Sequence, residues 1–455
     1  MATVLPNFVI RGERARLFPV LAENSKEGRT LSIFLACMEN VGEFGRCILE
    51  SAGQRFGTRA KIETYTEVVL QKTGKRACRP DGLILVKTGS RVWSALVEAK
   101  VGNSDLTVEQ VEDYLELAKL NGVDALITLS NQFAALPSHH PLAVSSMARR
   151  RAELVHWSWM YVLTEASVLL GREKIEDRDQ RTILHEMVRF LSHPSTGVKS
   201  FDQMPASWSD VVSAVQAGGP LGAGSPETRE VIGAWHQQVR DLSLDLSRQL
   251  NTEVHTRISR AHASDPHARA KADAAELAKE KCLRASLLVP DAASPIEICA
   301  DLQRRSISVS MWLRAPQDRK STKARLNWLL RQLQKADIPG LHVRFLWPGR
   351  AVDTQHSLGT LRDDPDCGAS GRPDLAVQSF EVLLVRDLGA RFGQRRNFGA
   401  EIKDAVPAFY MAVGQHLSSW QAPAPKLPED RAEVETVSPE AIQEQAEGVA
   451  LARSE

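Results

Sequence analysis

The sequence predicts a mixed α/β protein with more than one folded unit, and three observations predict it. Apolar residues at helical spacing give way to short strand-like runs and then to a helix and another strand within the first third of the chain. A similar alternation returns after Cys282. At 455 residues the chain is too long for one ordinary core.

The elements follow in order. Arg14 to Val20 reads as a short strand, and Leu31 to Ser51 as one amphipathic helix carrying Ile33, Phe34, Cys37, Met38, Val41, Phe44 and Ile48. Glu63 to Gln71, Gly82 to Lys87 and Arg91 to Lys100 read as a meander of strands around turn-like Lys72-Thr73-Gly74-Lys75 and Thr88-Gly89-Ser90. Thr107 caps a second helix running to Leu120, with Gln110 at the capping-box position and Gly122 as its stop. Asp124 to Leu129 then reads as a buried strand, followed by a loop holding His139, His140 and Pro141.

Ala152 to Leu191 has a helical look, with Trp157, Trp159 and Tyr161 as core aromatics. Gly218 to Ser225 is a flexible break, and the polar run Pro226 to Lys281 reads as a helical arm or connector. A second α/β unit is expected from strand-like Ile296 to Leu313, a helix over Thr322 to Lys335, strands over Leu341 to Trp347 and Ser379 to Val385, and a helix over Ala400 to Trp420. The expected divisions are therefore 1–165, 166–281, 282–421 and a disordered acidic tail over 422–455.

Hydrophobic residues at 43% and charged residues at 25% are those of a soluble globular protein. Neither a secretory signal nor an apolar run long enough to span a bilayer is visible, so the expectation is a cytoplasmic protein without a membrane partner. Six cysteines without a CxxC pair read as reduced, buried thiols. A net charge of +1 does not identify a polyanion partner, which would need a local basic face.

The chemistry lies in Arg79-Pro80-Asp81-Gly82 at the start of the second meander strand and Glu98-Ala99-Lys100 at the end of the third. Side chains two apart on a strand share a face, and a short hairpin brings that face back beside Asp81. Two carboxylates and an amine brought together suit phosphodiester hydrolysis, which needs a hard cation and an activated water.

Pro80-Asp81 followed by Glu98-Ala99-Lys100 resembles the PD-(D/E)xK nuclease superfamily, and the order helix, three strands, helix, strand resembles its restriction-endonuclease-like core. Gln110 and Tyr114 form a Gln-x-x-x-Tyr pattern resembling the RecB-type branch. The resemblance covers roughly residues 30 to 135 and is closest to bacterial members of the superfamily. It implies that Asp81, Glu98 and the Ala99 carbonyl hold Mg²⁺ or Mn²⁺ and that Lys100 handles the attacking water. It also implies Gln110 near the metal, Tyr114 near the DNA backbone, and a further acidic ligand from the first helix, with Glu43 as candidate and Glu67 as runner-up. Arg79, Lys75 and Arg76, with Lys72, would then meet phosphates.

A second Pro-Asp with Glu-x-Lys, Pro373-Asp374 with Glu401-Ile402-Lys403, lacks this setting because its Glu-x-Lys falls at a helix start. Adjacent His139 and His140 do not have the spacing of a metal site. Arg314 to Arg350, with Arg319, Lys320, Lys323, Arg325, Arg331, Lys335 and Arg344 interleaved by tryptophans, reads either as a nucleic-acid face or as the solvated side of an amphipathic helix. The expected activity is a metal-dependent deoxyribonuclease, with the C-terminal half recruiting substrate or a protein partner. The alternatives are a nuclease-like binding module that does not cut, or an RNA-directed nuclease.

Overall fold

The computed structural model describes residues 5–19, 25–72, 79–372 and 374–422. Its first sheet is built from β1 (Val9–Arg14), β2 (Lys61–Leu70), β3 (Gly82–Thr88), β4 (Arg91–Ala99), β5 (Ala125–Ser130) and β6 (Glu153–Ser158), in that spatial order. β1 to β4 pair antiparallel, β1 and β2 being separated in sequence by two helices, whereas β5 and β6 run parallel to β4. The return after β4 is made by α3 (Val108–Asn121), and short α4 (Ser146–Arg149) lies in the connection to β6.

This mixed sheet is covered on both faces. Leu83, Leu85 and Leu96 share a cluster with Val111, Tyr114 and Leu115 of α3. Ile84, Val86 and Val97 share another with α1 (Lys26–Asn40), α2 (Gly42–Ser51), α5 (Trp159–Gly171) and α6 (Arg178–Leu191). Trp157 and Trp159 are fully buried there, each edge-on to Phe34, as expected of core aromatics.

Several boundaries differ from the sequence reading for physical reasons. The first strand is Val9–Arg14 rather than Arg14 to Val20, since Pro19 cannot donate to a ladder while Val9 to Arg14 pairs with β2 through two bulges. The single helix expected over Leu31 to Ser51 is two, broken at Val41, whose backbone is extended (φ −114°, ψ 94°). Gly45 permits the sharp corner, because a Cβ there would lie 2.3 Å from the Met38 carbonyl oxygen. Glu153–Ser158, inside the run expected to be helical, is a strand. Its buried Leu-Val-His-Trp-Ser sequence is the continuous kind that periodicity cannot separate from a buried helix.

The chain continues through α7 (Ser207–Gln216), the expected glycine-rich break, α8 (Pro226–Leu250), β7 (His255–Thr256), α9 (Arg260–Ser264) and α10 (Pro266–Glu280). The long α8 is no free arm. Leu242 and Leu246 enter the C-terminal core, while Leu244 on the opposite side enters the core of the first sheet. All described residues up to Trp420 belong to one compact unit.

The second sheet is wholly antiparallel. It comprises β7 with β8 (Cys282–Leu288), β9 (Ile296–Asp301), β10 (Ser306–Arg314), β11 (Leu341–Leu346), β12 (Thr354–Ser357) and β13 (Ser379–Asp387), in the order β12-β11-β13-β10-β9-β8-β7. Ile296 to Leu313, read as one strand-like run, is a hairpin turning after Asp301. With it come α11 (Thr322–Gln332), α12 (Leu358–Asp363) and α13 (Arg395–Ala412), the last beginning and ending earlier than Ala400 to Trp420. From residue 423 on, the expected acidic tail lies outside the described residues. Among the described residues no helix is long and apolar enough to cross a membrane. The five described cysteines are free thiols, and Cys78 lies outside the described residues.

Candidate active site

The antiparallel register of β3 and β4 pairs Gly82 with Val97, which sets Asp81 beside Glu98 at the open end of the hairpin. Alternation places both on the side of Leu83, Leu85 and Leu96, the face covered by α3. Gly82 has no room for a side chain: a Cβ would meet Leu35 at 2.9 Å and the Tyr65 carbonyl oxygen at 3.2 Å.

Asp81 Oδ2 accepts the Ala99 backbone N–H at 2.9 Å. Glu98, 3% exposed, receives Lys100 Nζ on Oε1 at 2.7 Å, and its buried Oε2 has no hydrogen-bond partner among the described residues. Lys100 Nζ also donates to Glu27 Oε1 at 2.7 Å and to the Ala99 carbonyl at 3.1 Å. The backbone of Lys100 is fixed from two sides, by its N–H donating to Leu129 O at 2.8 Å and by Trp159 Nε1 donating to its carbonyl at 2.8 Å.

Burial pushes the Asp81 carboxyl up to about 7, and the negative charge of Glu98 adds to the rise against the opposing Ala99 N–H and Lys100. Burial alone would lower the Lys100 ammonium, but its hydrogen bonds to Glu27 and Glu98 outweigh that and hold the group above the ordinary lysine range. The cluster therefore combines a carboxyl that resists ionising alone, an unpartnered buried carboxylate oxygen, and a firmly protonated amine.

Among the described residues no group of three His, Cys, Asp or Glu side chains forms a ready-made metal cage. Magnesium does not require one, since it binds through one or two carboxylates and keeps several waters. Asp81, Glu98 with its spare Oε2 and the Ala99 carbonyl are the residues that could hold such a cation. A cleft of about 60 Å³ opens beside Asp81, walled in part by Arg14, Arg16, Ser32 and Glu67.

The remaining candidates fall in different places. Gln110 is exposed and occupied by the capping box, accepting from the Thr107 N–H and hydroxyl, each at 3.3 Å. Tyr114 is 8% exposed and packs inward, its hydroxyl donating to the Arg79 carbonyl at 3.0 Å, so its role here is to anchor the segment leading to Asp81. Arg79 is exposed and ion-paired with Glu67, which sits in a bulge of β2 with φ +55°. Among the described residues Glu43 joins no contact of the cluster. It pairs with Arg46 at 3.1 Å and lines a separate cleft with Glu50, Arg172 and Glu253, because the break at Val41 turns α2 in a new direction. Lys75 and Arg76 lie outside the described residues, and the Lys72 backbone is bonded to the Asn121 side chain.

The acidic residue that the first helix does contribute is Glu27. Sequence reasoning missed it by starting that helix at Leu31, although Ser25 two residues ahead of Glu27 carried an N-cap signal. Trp159 was seen only as a core aromatic, and nothing in its spacing announces the bond to Lys100.

The second Glu-x-Lys is structural. Lys403 reaches Asp241 at 2.5 Å and the Phe201 carbonyl, while Glu401 binds Arg386 at 2.7 Å; Pro373 lies outside the described residues. His139 and His140 diverge, the first bonding to the Ala263 carbonyl and the second to Thr128. Compared with known proteins, the chain matches no family model and no curated protein.

Proposed function

We propose that the part of the chain around the first sheet is a metal-dependent nuclease of the PD-(D/E)xK type that hydrolyses phosphodiester bonds of DNA. The observation that supports this best is the convergence of Asp81, Glu98 and Lys100 at the end of one hairpin, with Glu98 Oε2 buried and without a hydrogen-bond partner among the described residues. The spare oxygen alone does not mark a ligand site, since buried Asp241 also has one; what singles out Glu98 is that its spare oxygen stands beside a second carboxyl, Asp81, and an amine, Lys100.

In this reading Asp81, Glu98 and the Ala99 carbonyl hold Mg²⁺ or Mn²⁺. The bound cation supplies positive charge against the phosphate and makes a water acidic enough to attack. Lys100, kept protonated by Glu27, donates toward the attacking water and the phosphate oxygens and so orients the one and steadies the other. Trp159 and Leu129 keep the Lys100 backbone in place, and Tyr114 does the same for the approach to Asp81. Attack at phosphorus breaks the bond to the 3′ oxygen and leaves a 5′-phosphate, the outcome the resemblance implies.

The test is incubation of the purified protein with linear, circular and single-stranded DNA and with RNA, in Mg²⁺ or Mn²⁺, beside Lys100→Ala and Asp81→Ala. DNA cutting that needs the cation and is lost in both variants supports the reading. Absence of cutting, or cutting that survives both substitutions, rejects it.

A further inference from the structure

The second sheet buries only one face. Along β10, Ile307, Val309, Met311 and Leu313 enter the C-terminal core, while Ser306, Ser308, Ser310 and Trp312 alternate to the other side. There the strands form a trough of about 770 Å³.

The floor of the trough is polar and fixed. Glu381, 7% exposed, accepts from the Ser310 hydroxyl and from Arg344, both at 2.8 Å. Around it stand three further guanidinium groups. Arg257 is exposed and makes no ion pair among the described residues. Arg304, with its side chain 82% exposed, approaches Asp301 no closer than 3.8 Å. Arg284 is half exposed, and its carboxylate partner Glu276 lies outside the trough. The trough's own acids also bond locally, Asp301 accepting the Gln303 and Arg304 N–H groups and Glu297 the Ser286 hydroxyl, so that beside the Arg344–Glu381 pair three guanidinium groups face two carboxylates. Trp312 lies on the same face and is 42% exposed, an indole left available where the neighbouring residues of its strand are buried.

We propose that this trough binds single-stranded DNA, a base stacking on Trp312 and phosphates meeting Arg257, Arg284 and Arg304. Available cations beside an exposed aromatic on a polar floor match the two requirements of a single strand, a charged track and a stacking platform. A paired duplex offers no free base face to the indole without being opened, so it is the poorer occupant. Seven strands span roughly 30 Å, room for several nucleotides. The choice of DNA over RNA rests on the nuclease reading above; the trough itself does not.

The test uses the full chain carrying Asp81→Asn, so that no strand is cut, and fluorescence anisotropy of a labelled oligothymidylate. Trp312→Ala is expected to weaken binding by roughly tenfold to a hundredfold, and Trp312→Phe to restore most of it. Arg257→Glu with Arg304→Glu is expected to weaken binding and to lower the slope of log affinity against log salt by about 0.7 for each lost phosphate contact. Circular dichroism checks that each variant is folded. Unchanged affinity in folded Trp312→Ala and Arg257→Glu/Arg304→Glu proteins overturns the proposal, as does equal or better competition by duplex DNA or by oligouridylate. Cutting is measured separately in protein with Asp81 intact. Trough-dependent binding without cutting rejects the nuclease reading alone, and cutting without trough-dependent binding rejects this proposal alone.

Discussion

Glu27 and Lys100 meet at 2.7 Å across 73 residues of sequence, tying the first turn of α1 to the end of β4. Lys100 is thereby shared between Glu27 and Glu98, so its amine stays charged and aimed at the end of the hairpin whichever oxygen Glu98 offers elsewhere. Glu27 is a positioning residue in the proposed nuclease, acting through Lys100.

Replacing Glu27 by Gln keeps the shape and removes the charge. Because the pair is partly solvent-exposed, the loss of stability is expected to stay within about 1 kcal/mol. Cutting is expected to fall roughly 10–100-fold, the usual cost of removing an outer partner of a metal-site residue. A steady-state nuclease assay beside a thermal melt checks both, and wild-type cutting rates in Glu27→Gln would remove Glu27 from the mechanism.

Cation binding should be visible without any substrate. A ligand taken only by the folded state stabilises by about 2.7 kcal/mol at a hundredfold excess over its dissociation constant. Titrating Mg²⁺ or Mn²⁺ is expected to raise the melting temperature of the wild type and to leave Asp81→Asn unmoved. An identical shift in both proteins would place the cation elsewhere.

Tyr114 gives a way to separate anchoring from phosphate contact. Its buried hydroxyl donates to the Arg79 carbonyl, so Tyr114→Phe is expected to cost about 1 kcal/mol and to lower the cutting rate while leaving its salt dependence unchanged. A reduced salt slope would instead restore the backbone-contact role that the Gln-x-x-x-Tyr pattern implies.

Local signals carried much of this fold. The capping box of Thr107 and Gln110, the stop at Gly122 and the three-strand meander are all local patterns, and all are present. What local pattern could not supply was the break at Val41, which turns Glu43 away, and the strand at Glu153–Ser158, whose burial erases its period. The same limit hid Glu27, since its partner lies far along the chain and no spacing rule joins them.

Acid should weaken the protein through buried His156 and half-buried His140. Burial, and for His140 also the neighbouring His156, push the two rings down to about 3 and about 4. Both share the Thr128 hydroxyl, at 3.1 and 2.8 Å. In the unfolded chain they take up protons as pH falls through about 6.5, whereas in the folded protein they stay neutral. Their contribution is thus complete above that value and is lost as pH drops toward 4, at about 1.4 kcal/mol per pH unit for each histidine. Urea unfolding at several pH values checks the slope, and His140→Asn, which can still accept the Leu142 N–H, should reduce it by one proton. A slope unaltered by the substitution would assign acid sensitivity to other groups.

The two Glu-x-Lys copies should fail in opposite ways. Lys403 neutralises Asp241, which is 1% exposed and has one oxygen without a hydrogen-bond partner among the described residues. Lys403→Ala leaves that buried carboxylate with the Phe201 N–H but without its ion-pair partner, at a cost of about 3–5 kcal/mol, a large share of the stability of an ordinary domain. Lys100→Ala removes a cation from between two carboxylates, one of them partly open to water, so the protein is expected to stay folded while losing its cutting activity. Chemical denaturation and the nuclease assay, run on both variants, separate the roles. If Lys403→Ala were stable and inactive while Lys100→Ala cut at the wild-type rate, the active centre would have been assigned to the wrong copy. The single buried Asp241 beneath Lys403, and the pair of acids Glu98 and Asp81 beside Lys100, are why the opposite result is expected.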